Sequence, residues 1–428
     1  MKPINLPEKV IWYYIIGIYG IYYIGGLYLF APLLAVCLSL YLVKQWWNET
    51  DDTPESEKIR LSAPAYVWLI TMGLVAIVAI IGGMDFDLGP FKIISTLVNR
   101  WFRTWSLLAL FPLIGHLNIR PQLIYRAVCI FCIQSLVLVP LFYLLAHVFD
   151  THTYSFISPL ARFGGGTIFY DVKIFGSLLD VGEKRLQMIA PWPPALGLIG
   201  NIFFCLCLHE PNKKIRILGM AGAAALTLGS VSRAAIITLP VVPIFTWVLV
   251  NFANPWLQIG LGSVAAGGAI FSADIKDAFD SFALQVREYR SGSTRARDAI
   301  QQLALNAWRD DAPIWGHGTF SENGPVSVGS RGIGSHHTWY GILYAHGLVG
   351  TVPLAIAFAW SLMDLLLKLK NHPSASAGFS VLLTLLIFSV VDNIDGLAYL
   401  YWPGLVVLGI AFKGKESLEV VKRGVSYV

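Results

Sequence analysis

Long apolar runs recur along almost the whole chain, and they fix its solvent before anything else. Segments near 10–26, 27–43, 66–83, 103–117, 126–148, 192–208, 215–231, 234–252, 255–273, 337–365, 375–391 and 396–412 are each mostly apolar. A helix crosses a bilayer with roughly 17–25 such residues. These runs are too long and too uniformly apolar for barrel strands, so helices are expected throughout. With 56% hydrophobic and only 13% charged residues, a soluble fold of 428 residues could not bury that much apolar surface. The chain reads as an all-α polytopic membrane protein, with residues 1–428 forming one transmembrane domain of about twelve helices. Membrane lipids are its first expected partner, and nothing in the charge pattern suggests nucleic acid.

Tryptophan and tyrosine gather near the segment ends, as interfacial belts do. No small-residue cleavage site follows the first apolar run, so that run is expected to stay as an anchor. Basic residues in short loops set orientation. Lys44, Lys58, Arg60, Arg120, Arg126, Lys213, Lys214, Arg216, Lys368, Lys370, Lys413, Lys415, Lys422 and Arg423 fall on one side of a twelve-span arrangement, the expected cytoplasmic side with both termini. The opposite side receives two long loops, 149–191 and 274–336, and the short turn Asp392-Asn393-Ile394-Asp395.

Five cysteines, Cys37, Cys129, Cys132, Cys205 and Cys207, all fall in apolar runs. Cys129-x-x-Cys132 has redox or metal spacing on paper, but on a membrane helix it is two small residues on one face. No disulfide and no metal site is expected.

The larger outer loop is where the chemistry gathers. Its six arginines and one lysine roughly cancel eight acidic residues, so net charge is not the signal. The signal is the choice of arginine, whose planar fork grips phosphate or carboxylate oxygens in pairs. The bland alternative is that Arg295, Arg297 and Arg309 pair with Asp298, Asp310 and Asp311 on a solvated helix. From Thr294 to Trp308 the apolar residues Ala296, Ala299, Ile300, Leu303, Ala304 and Ala307 have helical spacing. An amphipathic helix on or near the membrane surface is expected there, with Arg295 and Arg297 in its first turn. Pro313-Ile314-Trp315-Gly316-His317-Gly318 then ends it in a tight turn. The smaller loop adds Arg162, Gly164-Gly165-Gly166 and Arg185, and Arg233 sits at a tight outer turn between two spans. A charge at that turn faces an aqueous cavity more cheaply than lipid. Of the histidines, His336 and His337 begin a span on the same side as the arginines, where a neutral imidazole can accept a proton.

Three stretches resemble one family. Ser230-Val231-Ser232-Arg233-Ala234-Ala235 resembles a Ser-Arg-Gly/Ala turn. Arg297 through Trp308 to Pro313–Gly318 resembles an Arg…Trp…Pro-x-x-Gly-x-Gly pattern. His336-His337, then nine residues, then Gly347-Leu348-Val349-Gly350 resembles a His-(Asn/Ser/Gln)-x9-Gly-x-x-Gly signature. These patterns are those of the O-antigen ligase and polymerase superfamily of bacterial envelopes. The sequence departs from the signature at His337, which leaves two histidines as candidates, and spacing to Gly347 favours His336.

The resemblance implies a glycosyltransferase-C-like fold in the bacterial inner membrane, with its active site facing the periplasm. It implies transfer of a polysaccharide from an undecaprenyl-pyrophosphate-linked donor to a sugar hydroxyl of lipid A–core, inverting, with no cofactor, metal or ATP. Arg295, Arg297, Arg233, Arg185 and Arg162 would bind the pyrophosphate, and His336 or His337 would act as general base. A polymerase or a protein-glycosylating ligase shares the donor chemistry and differs in acceptor. A transporter of a phosphorylated lipid would place its charges at mid-bilayer, often on paired broken helices, whereas the charges here gather at one surface.

Overall fold

Asparagine and proline mark where many of the helices begin. The computed structural model describes residues 2–54, 58–149, 155–176, 185–273, 276–277, 280–281, 291–321 and 332–413. Asn5 Oδ1 accepts from Glu8 N–H at the start of α1 (Leu6–Ile16), and Asn254 Oδ1 accepts from Trp256 N–H at the start of α11 (Pro255–Ile270). Such caps satisfy donors that the first turn leaves orphaned. Between them lie α2 (Ile18–Tyr23), α3 (Leu27–Trp47), α4 (Ala63–Asp85), α5 (Pro90–Thr96), a π-helical stretch Leu97–Trp105, α6 (Leu107–Ile114), α7 (Pro121–Phe149), α8 (Pro193–Cys207), α9 (Lys213–Gly229) and α10 (Arg233–Val250). After α11 come α12 (Ser291–Asp311), α13 (Thr338–Lys368), α14 (Ala375–Ser389) and α15 (Ala398–Phe412). Two short antiparallel pairs, β1 (Ser155–Ile157) with β2 (Asp171–Lys173) and β3 (Phe175–Gly176) with β4 (Arg185–Leu186), shape the smaller loop.

The chain is a multi-pass, all-α membrane protein. A helix lies at each of the apolar segments, but α3, α4, α7, α10, α13 and the stretch Asp395–Phe412 are the six that are long and apolar enough to cross on their own. Helix α15 is apolar on every side and buried along its whole length, which makes it the central post. It crosses α6 closely enough that a Cβ on Gly409 would strike Pro112, and Gly115 abuts Val406 and Gly409. On the other flank Gly219 and Gly222 of α9 let α7 approach at Cys129 and Cys132, small residues replacing the hydrophobic drive that lipid removes. Cys207 joins that contact, and all five cysteines are free thiols. Helix α11 buries none of its residues.

Three expectations are corrected. The run near 103–117 is not one helix: the π-helical stretch places Arg103, 8% exposed, inside the protein before the short α6 begins. The amphipathic helix exists, but its apolar face meets protein. Its apolar residues Ile300 and Ala304 are buried, and Ala304 packs with Tyr344 and Ala345 of α13. The span near 337–365 is broken at Gly347, whose φ of 55° and ψ of −159° no helix contains.

That break is filled by the Pro313–Gly318 turn. His317 and Gly318 N–H donate to the carbonyls of Tyr344 and Ala345 at 3.0 and 2.9 Å. Leu348 and Val349 N–H donate to the carbonyls of Pro313 and Ile314 at 3.1 and 3.2 Å. Backbone freed by a broken membrane helix must find partners inside the protein, and here a six-residue turn supplies four. The glycines permit the approach: Gly316 lies against His346 and Gly347, and Gly318 lies against Gly82 and Gly83 of α4. The turn thus threads between α4 and α13 and ties α12 rigidly to both.

Candidate functional site

The end of the bundle where α13 begins collects the motif residues. His336 precedes α13 in a left-handed conformation, φ 65°, that a side chain rarely adopts. Val231, in the Ser230–Arg233 turn, is another such residue at φ 47°. Strain of this kind costs roughly 1–3 kcal/mol and persists where the surroundings over-determine it. Both outliers fall on motif turns.

A second turn holds the first. Asp392–Asp395, between α14 and α15, receives nearly every bond that fixes the start of α13. His337 N–H donates to Asn393 Oδ1 at 2.9 Å, and Asn393 Nδ2 donates to the Gly334 carbonyl at 3.4 Å. Thr338 Oγ1 donates to the Asp392 carbonyl at 2.7 Å and accepts from Ile394 N–H at 3.0 Å. The Asp392 carboxylate accepts from Trp192 Nε1 at 2.7 Å and from Asn393 N–H at 2.9 Å. Burial raises the Asp392 carboxyl above its ordinary range, while those donors and the nearby Arg297 guanidinium pull it back. Arg297 of α12 is therefore within electrostatic reach of the turn that seats His336 and His337.

The two histidines have different jobs in this geometry. His337 is 9% exposed and caps α13, its Nδ1 accepting from Tyr340 N–H at 3.4 Å. Burial lowers its pKa to about 4, so it is neutral near pH 7. With Nδ1 accepting, the ring proton sits on Nε2, and neither nitrogen remains to take a proton from a substrate. To act as a base, His337 would first have to release this bond to the helix N-terminus. His336, half-buried, stands immediately before the capping residue.

The predicted arginines separate. Arg297 is half-buried on the α12 turn facing Asp392, and Arg295, two residues earlier, is exposed. Arg233 opens α10, half-buried, directly after the strained turn. Arg185, 9% exposed, donates from Nε to the Ser230 carbonyl at 2.9 Å and from Nη2 to the Val231 carbonyl at 3.3 Å, bracing that turn from behind. Arg162 is exposed and donates to Pro159 within its own turn at 3.0 Å; among the described residues no other bond ties it to the rest. Arg287, Arg290 and Arg331 lie outside the described residues.

Helix α8 links the two halves of the site. Its N-terminal Trp192 reaches Asp392, and one turn further Gly197 abuts Ala235, Ser230 and Ser232. Beside it stand residues that sequence patterns did not single out. Arg103 donates to the Gly164 and Phe163 carbonyls at 2.8 and 2.9 Å, so the triple glycine is a turn pinned through its carbonyls rather than an anion cradle. Arg100 lies 5.8 Å over the Phe320 ring and within electrostatic reach of Asp395, which is 5% exposed with Oδ1 unbonded. The signal for the Asp392–Asp395 turn was present as two carboxylates in an apolar hairpin, but no motif pointed to it.

Arginine beside a carboxylate, a strained imidazole and an apolar surround can hold a phosphorylated group and accept a proton. Residues 218–355 match the sequence family described as O-Antigen ligase. The matched region runs from α9 through the Ser232-Arg233 turn, α12, the Pro313–Gly318 turn, His336 and the Gly347 break. No curated protein sequence matches the chain.

Proposed function

We propose that the chain, whose residues 218–355 match the O-antigen ligase family, transfers a glycan from undecaprenyl pyrophosphate to a sugar hydroxyl of lipid A–core. The carrying observation is that α12, with Arg297, and α13, with His336 at its head, are locked together by the backbone ladder at Gly347. One rigid platform then presents a cation and a base to a single substrate, which is what positioning catalysis requires. The reaction is assigned to the periplasmic face of the inner membrane, consistent with a site at one end of the bundle.

In this reading the acceptor hydroxyl gives its proton to the His336 imidazole as its oxygen attacks the anomeric carbon. The bond from that carbon to the phosphate oxygen breaks, and its electron pair leaves on pyrophosphate. Attack opposite the leaving group inverts the anomeric centre. Charge grows on the pyrophosphate oxygens, and fixed guanidinium groups stabilise it without reorganisation. Arg297 is the first candidate, with Arg295 and Arg233 beside it. Arg185 positions the Arg233 turn through Ser230 and Val231 and is a bracing residue. Arg162, distant in its bonding, is the weakest of the proposed pyrophosphate ligands. Asp392 orients Arg297 and Trp192. The polyprenyl chain would lie along apolar helix faces.

The test is transfer by purified protein in liposomes given undecaprenyl-pyrophosphate glycan and lipid A–core, with EDTA present and ATP absent. Laddered lipopolysaccharide supports the ligase. Glycan extended on its own lipid carrier would make the protein a polymerase, and a donor that only changes leaflet would make it a transporter.

A further inference from the structure

At the far end of the bundle, where α13 and α15 finish, the protein gathers a group of donors with few acceptors. Lys413 follows the last turn of α15 and turns its ammonium inward, donating to the Leu117 carbonyl at 2.6 Å. Among the described residues it has no carboxylate partner, and burial lowers its pKa to about 7. Lys368 Nζ donates to Asp364 Oδ2 and to the Phe412 carbonyl, both at 2.8 Å. Between them sits His372, 4% exposed. Its Nδ1 accepts from Ser374 N–H at 3.3 Å, so in the neutral ring the proton is on Nε2. That Nε2–H is buried without a hydrogen-bond partner, and both lysines act electrostatically on the ring.

His116 lies in the same field but is fully used: Nδ1 donates to the Pro112 carbonyl at 3.1 Å and Nε2 accepts from Ser62 Oγ at 3.0 Å. Among the described residues, two N–H groups of Lys413, one of Lys368 and the His372 Nε2–H find no acceptor. A buried ammonium without a counter-charge is costly, and an orphaned buried donor calls for an unseen partner. One ligand answers both: an anion with several acceptor oxygens.

We propose that Lys413, Lys368 and His372 form a phosphate site that takes the headgroup of an anionic phospholipid in the leaflet opposite the candidate active site. The phospholipid source is favoured over free phosphate by what lies beside the donors. Met363 and Leu367, on the same last turns of α13 as Lys368, are 65% and 77% exposed, an apolar surface for acyl chains. Basic pockets between helices at this depth recognise such headgroups. The site stands apart from the transfer chemistry, and nothing in it depends on the proposed reaction.

The experiment is a thermal-stability titration of the full chain in detergent with phosphatidylglycerol, phosphatidylethanolamine or inorganic phosphate. Phosphatidylglycerol is expected to raise the melting temperature saturably, with the other two giving little. Lys413→Met and His372→Gln should each weaken the half-maximal concentration, about fivefold for the lost lysine charge, while Lys413→Arg restores it. Should Lys413→Met not fold, His372→Gln and Lys413→Arg still decide. Equal shifts with phosphatidylethanolamine, or an undiminished shift in His372→Gln, would overturn the proposal. An equal shift with inorganic phosphate would overturn the lipid assignment. Glu416 and Glu419, just beyond the described residues, are the intramolecular rivals. If Glu416→Gln/Glu419→Gln destabilises the lipid-free protein and only then creates the lipid response, a carboxylate is the native occupant and the proposal fails.

Discussion

Replacing Gly347 with alanine should do more damage than any surface change of its size. Gly347 sits at φ 55° and ψ −159°, a region essentially closed to a side chain, at a cost of roughly 1–3 kcal/mol. Its new Cβ would also collide with the Ile314 carbonyl. Relief requires the Pro313–Gly318 turn to back away, and the two bonds from Leu348 and Val349 N–H, at 3.1 and 3.2 Å, are the first to open. Each orphaned buried donor adds about 1–3 kcal/mol. Together these terms come to roughly 4 kcal/mol or more, on the order of a 10 °C fall in melting temperature. Intrinsic tryptophan fluorescence during heating in detergent would read it. Gly260→Ala is the control: nothing lies within 4 Å of the added Cβ, so helix propensity alone should leave it neutral or stabilised by up to ~1 kcal/mol. If Gly347→Ala melts with the wild type, the ladder does not hold α12 to α13 and the platform argument falls.

Arg297→Ala should lower transfer by on the order of 10²–10³ with the fold intact, as lost transition-state donors do, whereas Arg162→Ala should fall within a few-fold of wild type; initial rates of ladder formation compare them. Arg185→Ala should cost about 1–3 kcal/mol in thermal stability, because the Ser230 and Val231 carbonyls lose charged donors. His337 is held near pKa 4 when folded against 6.5 ordinarily, so the unfolded chain binds its proton first. Stability should therefore fall as pH drops from about 6.5 toward 4, and His337→Gln, read by melting across that range, should flatten that part of the profile.

Helix positions were legible in the sequence because bilayer spans announce themselves by length and apolarity. The Thr294–Trp308 helix was legible from its period, but not its neighbour: Ala304 and Ile300 read equally well as facing lipid or protein. The break at Gly347 was hidden because Pro313–Gly318 satisfies it from 30 residues away, and hydropathy cannot see a hydrogen bond between distant segments. The Gly82-Gly83 pair on α4 belongs to the same contact and looked like ordinary helix content. Arginine choice drew the eye to Arg297, yet could not tell it from Arg185, whose partners are carbonyls. The sequence marked the Asp392 turn but gave Asp392 no role, because its importance comes from meeting Trp192, Thr338 and Arg297, residues far apart in the chain.

The most direct measurement is the transfer rate of His336→Ala beside His337→Gln, in liposomes with EDTA and without ATP. Removing the proton acceptor should lower the rate by about 10²–10⁴ with melting temperature unchanged, while His337→Gln should keep measurable transfer and lose stability instead. Transfer that survives in His336→Ala and vanishes in a well-folded His337→Gln would assign the base to the capping histidine and contradict the mechanism.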